Sequence, residues 1–185
     1  MLWRHRLLAV LLVTLASSVS HSLELQPYFG NLNYSNLDGC CKSTGSSRLG
    51  FGASVRLPTD TLGMIDIAAF TDRRWTEFVI LKPLFLMGES SVLDPSGDAN
   101  IKVRRVSDWK FVFSYGGGYF THSTRTKNFD LPAITNGIVF TSQSQLGYSI
   151  NDRLAVVGIL QFGIAWAKDD KGTQLGTFLG VNYRP

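Results

Sequence analysis

The chain has 185 residues, of which 44% are apolar and only 17% charged, and it contains 18 glycines. This composition excludes an acidic or low-complexity disordered protein, which would be rich in charge and poor in aromatic side chains. The formal charge of +4 comes partly from Arg4 and Arg6, without which 16 basic residues face 14 acids. The remaining charges are scattered and form no basic stripe, so the sequence does not indicate nucleic-acid binding.

The first residues have the three-part pattern of a secretory signal peptide. A basic start is followed by the apolar run 7–16 and by a small, polar stretch that ends at Ser22. The apolar run is too short for a transmembrane helix, which needs roughly 20 residues. We therefore predict that residues 1–22 are a signal peptide and that residues 23–185 form an exported domain.

Cysteine and histidine are too few for a structural metal or a disulfide framework. Cys40 and Cys41 are adjacent, and neighbouring cysteines bridge only through a strained ring. One histidine, His122, remains after the predicted signal peptide, and no CxxC spacing is present. We predict a loop that carries two thiols, with no metal site and no cofactor.

Apolar and polar residues alternate with period two after the signal peptide, which is the pattern of half-buried strands. In the clearest example, one face carries Trp109, Phe111, Phe113, Tyr115 and Tyr119, and the other carries Lys110, Ser114, Gly116 and Gly118. The eight predicted strands are Leu23–Tyr34, Arg48–Leu57, Leu62–Thr71, Glu77–Leu86, Trp109–Thr121, Gly137–Ser149, Leu154–Ala167 and Gln174–Tyr183. Roughly 20 residues per strand and connection suit a closed barrel.

The connections indicate an up-and-down order. If the N-terminus is periplasmic, the outer connections are Ser35–Ser47, Asp72–Thr76, His122–Asn136 and Lys168–Thr173, which are polar. The inner connections are expected to be tight turns, as Pro58–Asp60 and Ile150–Arg153 are. Met87–Asp108 is too long for a turn, so it either holds a short strand at Ile101–Val106 or changes the strand count.

Alternation alone does not say which face lies outside. A soluble lipocalin-like barrel turns its apolar face inward, whereas a membrane barrel turns it toward lipid. Small and polar residues on the second face suit a narrow polar interior, and several strands are long enough to cross a bilayer. Aromatic residues lie near strand ends, as in interfacial girdles, at Tyr34, Trp109, Tyr119, Tyr148, Trp166 and Tyr183. We predict an all-β, eight-stranded antiparallel up-and-down transmembrane β-barrel.

The segment from Tyr115 to Pro185 resembles the small outer-membrane barrels related to lipid A 3-O-deacylase. The resemblance rests on the glycine-rich strand Ser114–Phe120, on Gln145–Val157 with its short Asn/Asp turn, and on the closing strand Leu179–Pro185. It implies an outer-membrane barrel in a diderm bacterium and, for the enzymes of that family, cleavage of an acyl ester of lipid A.

The family's His-x-Ser motif is missing from this chain. The corresponding strand end, Ile164–Asp169, contains neither His nor Ser, and the last glutamate of the chain is Glu89. Residue-by-residue transfer therefore predicts no catalytic residue. A relocated site would have to use His122 and Ser123, with Asp130 downstream, but neighbours on a strand point to opposite faces.

Three functions follow in order of preference. The first is a non-enzymatic outer-membrane barrel with a structural, adhesive or lipopolysaccharide-interacting role, carried by the loops Ser35–Ser47 and His122–Asn136. The second is a lipid A ester hydrolase with a relocated site around His122 and Ser123. The third is a soluble, lipocalin-like carrier of an apolar ligand. Asp72-Arg73-Arg74, at a strand end, is expected to anchor the chain at the interface or to hold lipopolysaccharide phosphates.

Overall fold

The computed structural model describes residues 23–36, 46–59, 63–72, 75–93, 101–105, 107–124, 133–168 and 170–185. Its strands are β1 (Glu24–Asn36), β2 (Ser46–Thr59), β3 (Gly63–Thr71), β4 (Trp75–Met87), β5 (Glu89–Leu93), β6 (Ile101–Arg105), β7 (Trp109–Thr124), β8 (Ala133–Ser149), β9 (Leu154–Ala167) and β10 (Asp170–Tyr183). The predicted signal peptide and Cys40–Cys41 lie outside the described residues. Within those residues, no helix is long and apolar enough to cross a membrane.

Eight of the ten strands close into one antiparallel barrel, in the order β1-β10-β9-β8-β7-β4-β3-β2. The ring closes where β1 pairs with β10, from Leu25 opposite Tyr183 to Asn36 opposite Gly172. Closure leaves the sheet no free edge, so backbone donors and acceptors along the wall find partners on neighbouring strands. The prediction of an eight-stranded, up-and-down antiparallel barrel is confirmed.

The long connection between β4 and β7 contains a hairpin of its own. β5 pairs with β6, from Glu89 opposite Arg105 to Leu93 opposite Ile101, in a sheet separate from the barrel. Gly88, between β4 and β5, has a φ of 90°, a left-handed conformation that glycine adopts without steric cost. Of the two alternatives for this connection, the short strand at Ile101–Val106 therefore holds, as β6 over Ile101–Arg105, whereas its partner β5 was not predicted. The barrel still has eight strands.

Six of the eight barrel strands, namely β1, β2, β4, β7, β8 and β10, run further than the sequence predicts, chiefly into the predicted outer connections Ser35–Ser47, Asp72–Thr76, His122–Asn136 and Lys168–Thr173. β7 continues to Thr124 and β8 begins at Ala133, where we expected the loop 122–136. His122 consequently lies in the barrel wall, opposite Trp75 on β4 and Thr135 on β8. The predicted loop was wrong because residues at the rim of the barrel are polar, as loop residues are. Their backbone groups nevertheless continue the hydrogen-bonded ladder between the strands.

The apolar face of the wall points outward and the second face points into the lumen. Phe51, Phe140 and Phe162 are each at least 50% exposed, whereas Gln143 and Gln161 are buried. The faces predicted for β7 are confirmed, with Trp109 on the outer face and Lys110 in the lumen. One predicted girdle residue is misplaced: Tyr34 faces the lumen and is 4% exposed.

Two local features shape the wall between β4 and β7. The register shifts between Pro83 and Phe85, which marks a bulge where proline lacks a ladder donor. Gly116 and Gly118 lie where β7 comes so close to β4 that an added Cβ would collide with the backbone of Ile80, Phe78 or their neighbours. These glycines therefore permit the close packing of β7 against β4.

Candidate functional site

The outer wall carries a predominantly apolar surface. Its large exposed side chains include Phe29, Leu49, Phe51, Phe78, Ile80, Phe85, Tyr115, Ile138, Phe140, Leu146, Leu160, Phe162, Leu175 and Leu179. Trp109 and Tyr148 pair their rings, with centroids 5.0 Å apart, at the end of the barrel where β1 begins and β10 ends. Tyr119 is exposed near the opposite end of β7. Ten residues of a tilted strand rise about 25 Å, the height of the lipid-facing band of outer-membrane barrels.

Buried charges close the lumen at the end that bears the termini. One member of this cluster is Arg56 on β2. Its Nε and Nη2 donate to the two carboxylate oxygens of Asp66 at 2.6 and 2.7 Å. Its Nη1 also donates to Glu24 at 3.1 Å. A bidentate guanidinium–carboxylate pair is both strong and geometrically specific. Arg56 therefore ties β1, β2 and β3 together.

Glu24 is the centre of the same cluster. Lys110 Nζ donates to its two oxygens at 2.9 and 3.0 Å, and Asn182 Nδ2 donates at 3.0 Å. Arg184 donates to Oε1 through Nε at 3.0 Å and through Nη2. Because a buried charge is tolerated only when it is paired and hydrogen-bonded, these contacts let a carboxylate lie inside the barrel. They also connect β1 with β7 and with the end of β10.

The lumen nearer the opposite end is filled by aromatic rings around a second carboxyl group. Trp75 stacks on Phe120 with ring centroids 4.4 Å apart and planes 4° from parallel. Its Nε1 donates to Glu77 at 3.1 Å, and Gln161 Nε2 donates to the other Glu77 oxygen at 2.8 Å. These side chains form a packed core across β4, β7 and β9.

His122 belongs to this packed region. Arg48 Nη2 donates to His122 Nε2 at 2.8 Å, so this nitrogen is an acceptor and the imidazole is neutral. Its ring lies 5.6 Å from that of Trp75. Arg48 also pairs with Asp72 at 3.9 Å, and Asp72 accepts the backbone N–H of Trp75 at 2.5 Å. The role of Asp72 is thus to hold the start of β4, while Arg73 and Arg74 lie outside the described residues.

The residues considered for a relocated hydrolase site do not come together. His122 is buried in the lumen, whereas Ser123, the next residue on β7, has its half-exposed side chain on the outer face. A general base must lie within about 3.2 Å of the proton that it abstracts. Asp130 is outside the described residues. Ser142 and Ser144 face outward, on the same face of β8 as Ile138 and Phe140.

The described lumen is packed with side chains, as expected for eight strands. A shallow, solvent-open depression lies at the mouth where β1 begins and β10 ends, lined by residues 151–153 and by Lys110, Asn182 and Arg184. The described ranges contain no group of three or more His, Cys, Asp or Glu side chains that could hold a metal ion.

Sequence reasoning missed the acidic members of the lumen. Glu24, Asp66 and Glu77 are all at most 3% exposed. The pattern that could have identified these three acids is the period of two: each lies two or four residues from other inward-facing residues of its strand, on β1, β3 or β4. The alternation in those three strands is weaker than elsewhere, since inward Trp75, Val79 and Leu81 are themselves apolar.

Comparisons with known proteins agree with this architecture. No family model and no curated protein sequence matches the chain. Neisserial surface protein A (NspA) has a similar solved structure, with a TM-score of 0.60 and 8% identity over 88% of this chain and 97% of NspA. The N-terminal β-barrel domain of Pseudomonas aeruginosa OprF matches with a TM-score of 0.42 and 8% identity, over 86% of this chain and 97% of that domain. The fold is that of a small outer-membrane-type eight-stranded barrel, and nothing found supports the deacylase family in particular.

Proposed function

We propose that this chain is an exported, integral outer-membrane barrel of a diderm bacterium that has no enzymatic activity. The observation that carries the proposal is the combination of an apolar outer wall with a charged, hydrogen-bonded lumen. A soluble carrier of an apolar ligand needs the opposite arrangement, because its ligand lies inside. Lipid supplies no hydrogen bonds, so only α-helices and closed β-barrels can cross it. The closed sheet of this chain is of the second kind.

The role in the envelope is carried by the connections at the end opposite the termini. Residues 37–45 and 125–132 belong to the two longest of these connections. We propose that they serve a structural, adhesive or lipopolysaccharide-interacting role at the cell surface. The packed lumen supports this choice over a channel, since an eight-stranded interior is filled by its own side chains.

An accessibility experiment tests location and orientation together. The same epitope is inserted in residues 37–45 in one variant and in residues 60–62 in another. An antibody is expected to label intact cells that carry the first insertion, and to label the second only after the outer membrane is permeabilised. Labelling of neither variant, with the protein recovered in the soluble fraction without detergent, would contradict the proposal.

The absence of hydrolase chemistry is tested on the lipid itself. Lipid A from cells with and without this protein is compared by mass spectrometry after membrane insertion has been confirmed. We expect identical spectra, because His122 is engaged by Arg48 and turned away from Ser123. Loss of one hydroxyacyl mass that depends on the protein would establish an ester hydrolase and overturn the proposal.

A further inference from the structure

One hydrogen bond joins two walls of the barrel across the lumen. Arg48 is the third residue of β2, and His122 lies two residues before the end of β7. β3 and β4 separate these two strands in the ring. Arg48 Nη2 donates to His122 Nε2 at 2.8 Å, and we call this bond the Arg48–His122 contact. It lies at the end of the barrel from which the connections 37–45 and 125–132 leave.

The Arg48–His122 contact requires a neutral imidazole. A guanidinium carries N–H donors and no acceptor, so His122 Nε2 has to offer its lone pair. A proton on Nε2 removes that lone pair and places two cations 2.8 Å apart. Like charges at this distance repel, most strongly where water is scarce, and His122 is 6% exposed. A protonated His122 therefore loses the contact.

The carboxyl groups nearest in the fold to this contact already have partners. Asp72, which follows β3, pairs with Arg48 at 3.9 Å and accepts the backbone N–H of Trp75. Glu77, two residues after Trp75 on β4, accepts a hydrogen bond from the indole Nε1 at 3.1 Å. A proton that arrives on His122 therefore meets the Arg48 guanidinium directly, with both carboxyl groups engaged elsewhere.

The other strands add few titratable groups around His122. From β1, the ring of Tyr34 lies 6.0 Å from the imidazole. Among the inward side chains that the structure describes on β8, β9 and β10, none is titratable. The remaining buried charges of the described residues lie in the cluster at the opposite end, at Glu24, Arg56, Asp66 and Lys110. Histidine is the side chain whose ordinary titration falls between about pH 5 and 8, so His122 is the group here that mild acid is expected to charge.

His122 is also packed into the aromatic rings that fill this end of the lumen. Its ring lies 5.6 Å from that of Trp75, and Trp75 lies 5.2 Å from Tyr34 and 4.4 Å from Phe120. Protein interiors are close-packed, so a side chain that moves displaces its neighbours. An imidazole that moves away from Arg48 consequently disturbs Trp75.

We propose that the Arg48–His122 contact is an acid-sensitive link at the outer mouth of the barrel. On the alkaline side of about pH 6.5 the neutral imidazole ties β7 to β2, and on the acid side the contact breaks and the rings around Trp75 loosen. Acid therefore loosens the end of the barrel that carries the two longest outer connections. Only the statement that this end senses the medium outside the cell rests on the proposed function.

The test uses a form of the full chain in nanodiscs in which Trp75 is the single tryptophan and His122 the single histidine. The substitutions are Trp3→Phe, Trp109→Phe, Trp166→Phe, His5→Gln and His21→Gln. Nitrogen NMR of the imidazole follows the protonation of His122, and acrylamide quenching follows the exposure of Trp75, both from about pH 8 to 5. His122→Gln is the matched control, because its amide oxygen accepts from Arg48 but does not titrate.

At the alkaline end we expect a neutral imidazole with its proton on Nδ1. As His122 gains a second proton, the quenching of Trp75 should rise and its emission should shift to longer wavelength, with the same midpoint as the NMR titration. His122→Gln should keep its alkaline quenching and emission throughout. If this control fails to fold, agreement or disagreement of the two midpoints still decides the matter.

Three results would overturn the inference. The first is a neutral imidazole that carries its proton on Nε2. The second is a Trp75 response that is missing or has a different midpoint from His122. The third is an equal response in His122→Gln, which would assign the effect to another group such as Glu77. A chain that folds only without lipid would contradict the proposed membrane function, and the same measurements in buffer would then decide this inference separately.

Discussion

Arg56 offers the sharpest test of how the barrel is held together. Its guanidinium joins Asp66 at 2.6 and 2.7 Å and Glu24 at 3.1 Å, and Arg56 itself is 4% exposed. Arg56→Met preserves the bulk of the side chain and removes its charge. Glu24 keeps Lys110, Asn182 and Arg184, whereas Asp66 loses the guanidinium that satisfies it.

The expected loss is large because the partner stays behind. Removing one member of a buried ion pair typically costs about 3–5 kcal/mol, since an uncompensated charge remains in the interior. We therefore expect Arg56→Met to lower the free energy of unfolding by about 3–5 kcal/mol. The double variant Arg56→Met/Asp66→Leu removes both charges and should recover a large part of that loss, because replacing a buried pair by apolar groups is often close to neutral.

Urea titration of the protein in lipid vesicles measures this effect, with the folded fraction read from the heat-shifted gel band. The four members of the double-mutant cycle are compared in the same lipid. A loss below about 1 kcal/mol for Arg56→Met, the range of an exposed salt bridge, would refute the reasoning. Strictly additive effects of the two substitutions would refute it as well, because residues in contact are expected to be coupled.

Three further substitutions probe other parts of the barrel. Trp75→Ala removes the ring that stacks on Phe120 and the donor to Glu77. We therefore expect it to lower the free energy of unfolding by about 3–5 kcal/mol in the same titration. As a control, Trp109→Ala should lower it far less, because Trp109 is exposed. Gly116→Val places a side chain against the backbone of β4, and the heat-shifted band should disappear; a normal folded yield would contradict the close approach. Phe162→Arg puts a charge on the outer wall and should cost about 2–4 kcal/mol in vesicles, and no cost there would show that this position does not face lipid.

The sequence predicts most of the wall because period-two alternation reports directly on strand direction and facing. Leu154–Ala167 matches β9 at both ends, and Trp109 is the first residue of β7 in both descriptions. The strand ends near His122 were missed because rim residues are polar on both faces. The prediction for Tyr34 failed because an aromatic near a strand end can face either way, and β1 lacks the strict alternation that would have decided it.

The lumen contacts could not be predicted from the sequence. Glu24 meets Lys110 across 86 positions and Arg184 across 160 positions of the chain. These pairings depend on the register of every strand between them and on the closure of β1 against β10. Alternation placed Lys110 on the polar face of its strand, but it could not say which acid meets it. A short strand between β4 and β7 was only one of two alternatives, and β5 was missed, because both strands of this hairpin have five residues, too few for a decisive pattern.

A cysteine scan along β7 tests most directly whether the apolar face of the wall touches lipid. After Cys40→Ser and Cys41→Ser, each position from 110 to 115 is changed in turn to cysteine and labelled with a fluorophore in vesicles. We predict that brominated acyl chains quench the labels at 111, 113 and 115 and spare those at 110, 112 and 114. Quenching without this alternation, or quenching of all six labels by a water-soluble agent, would contradict a lipid-facing wall.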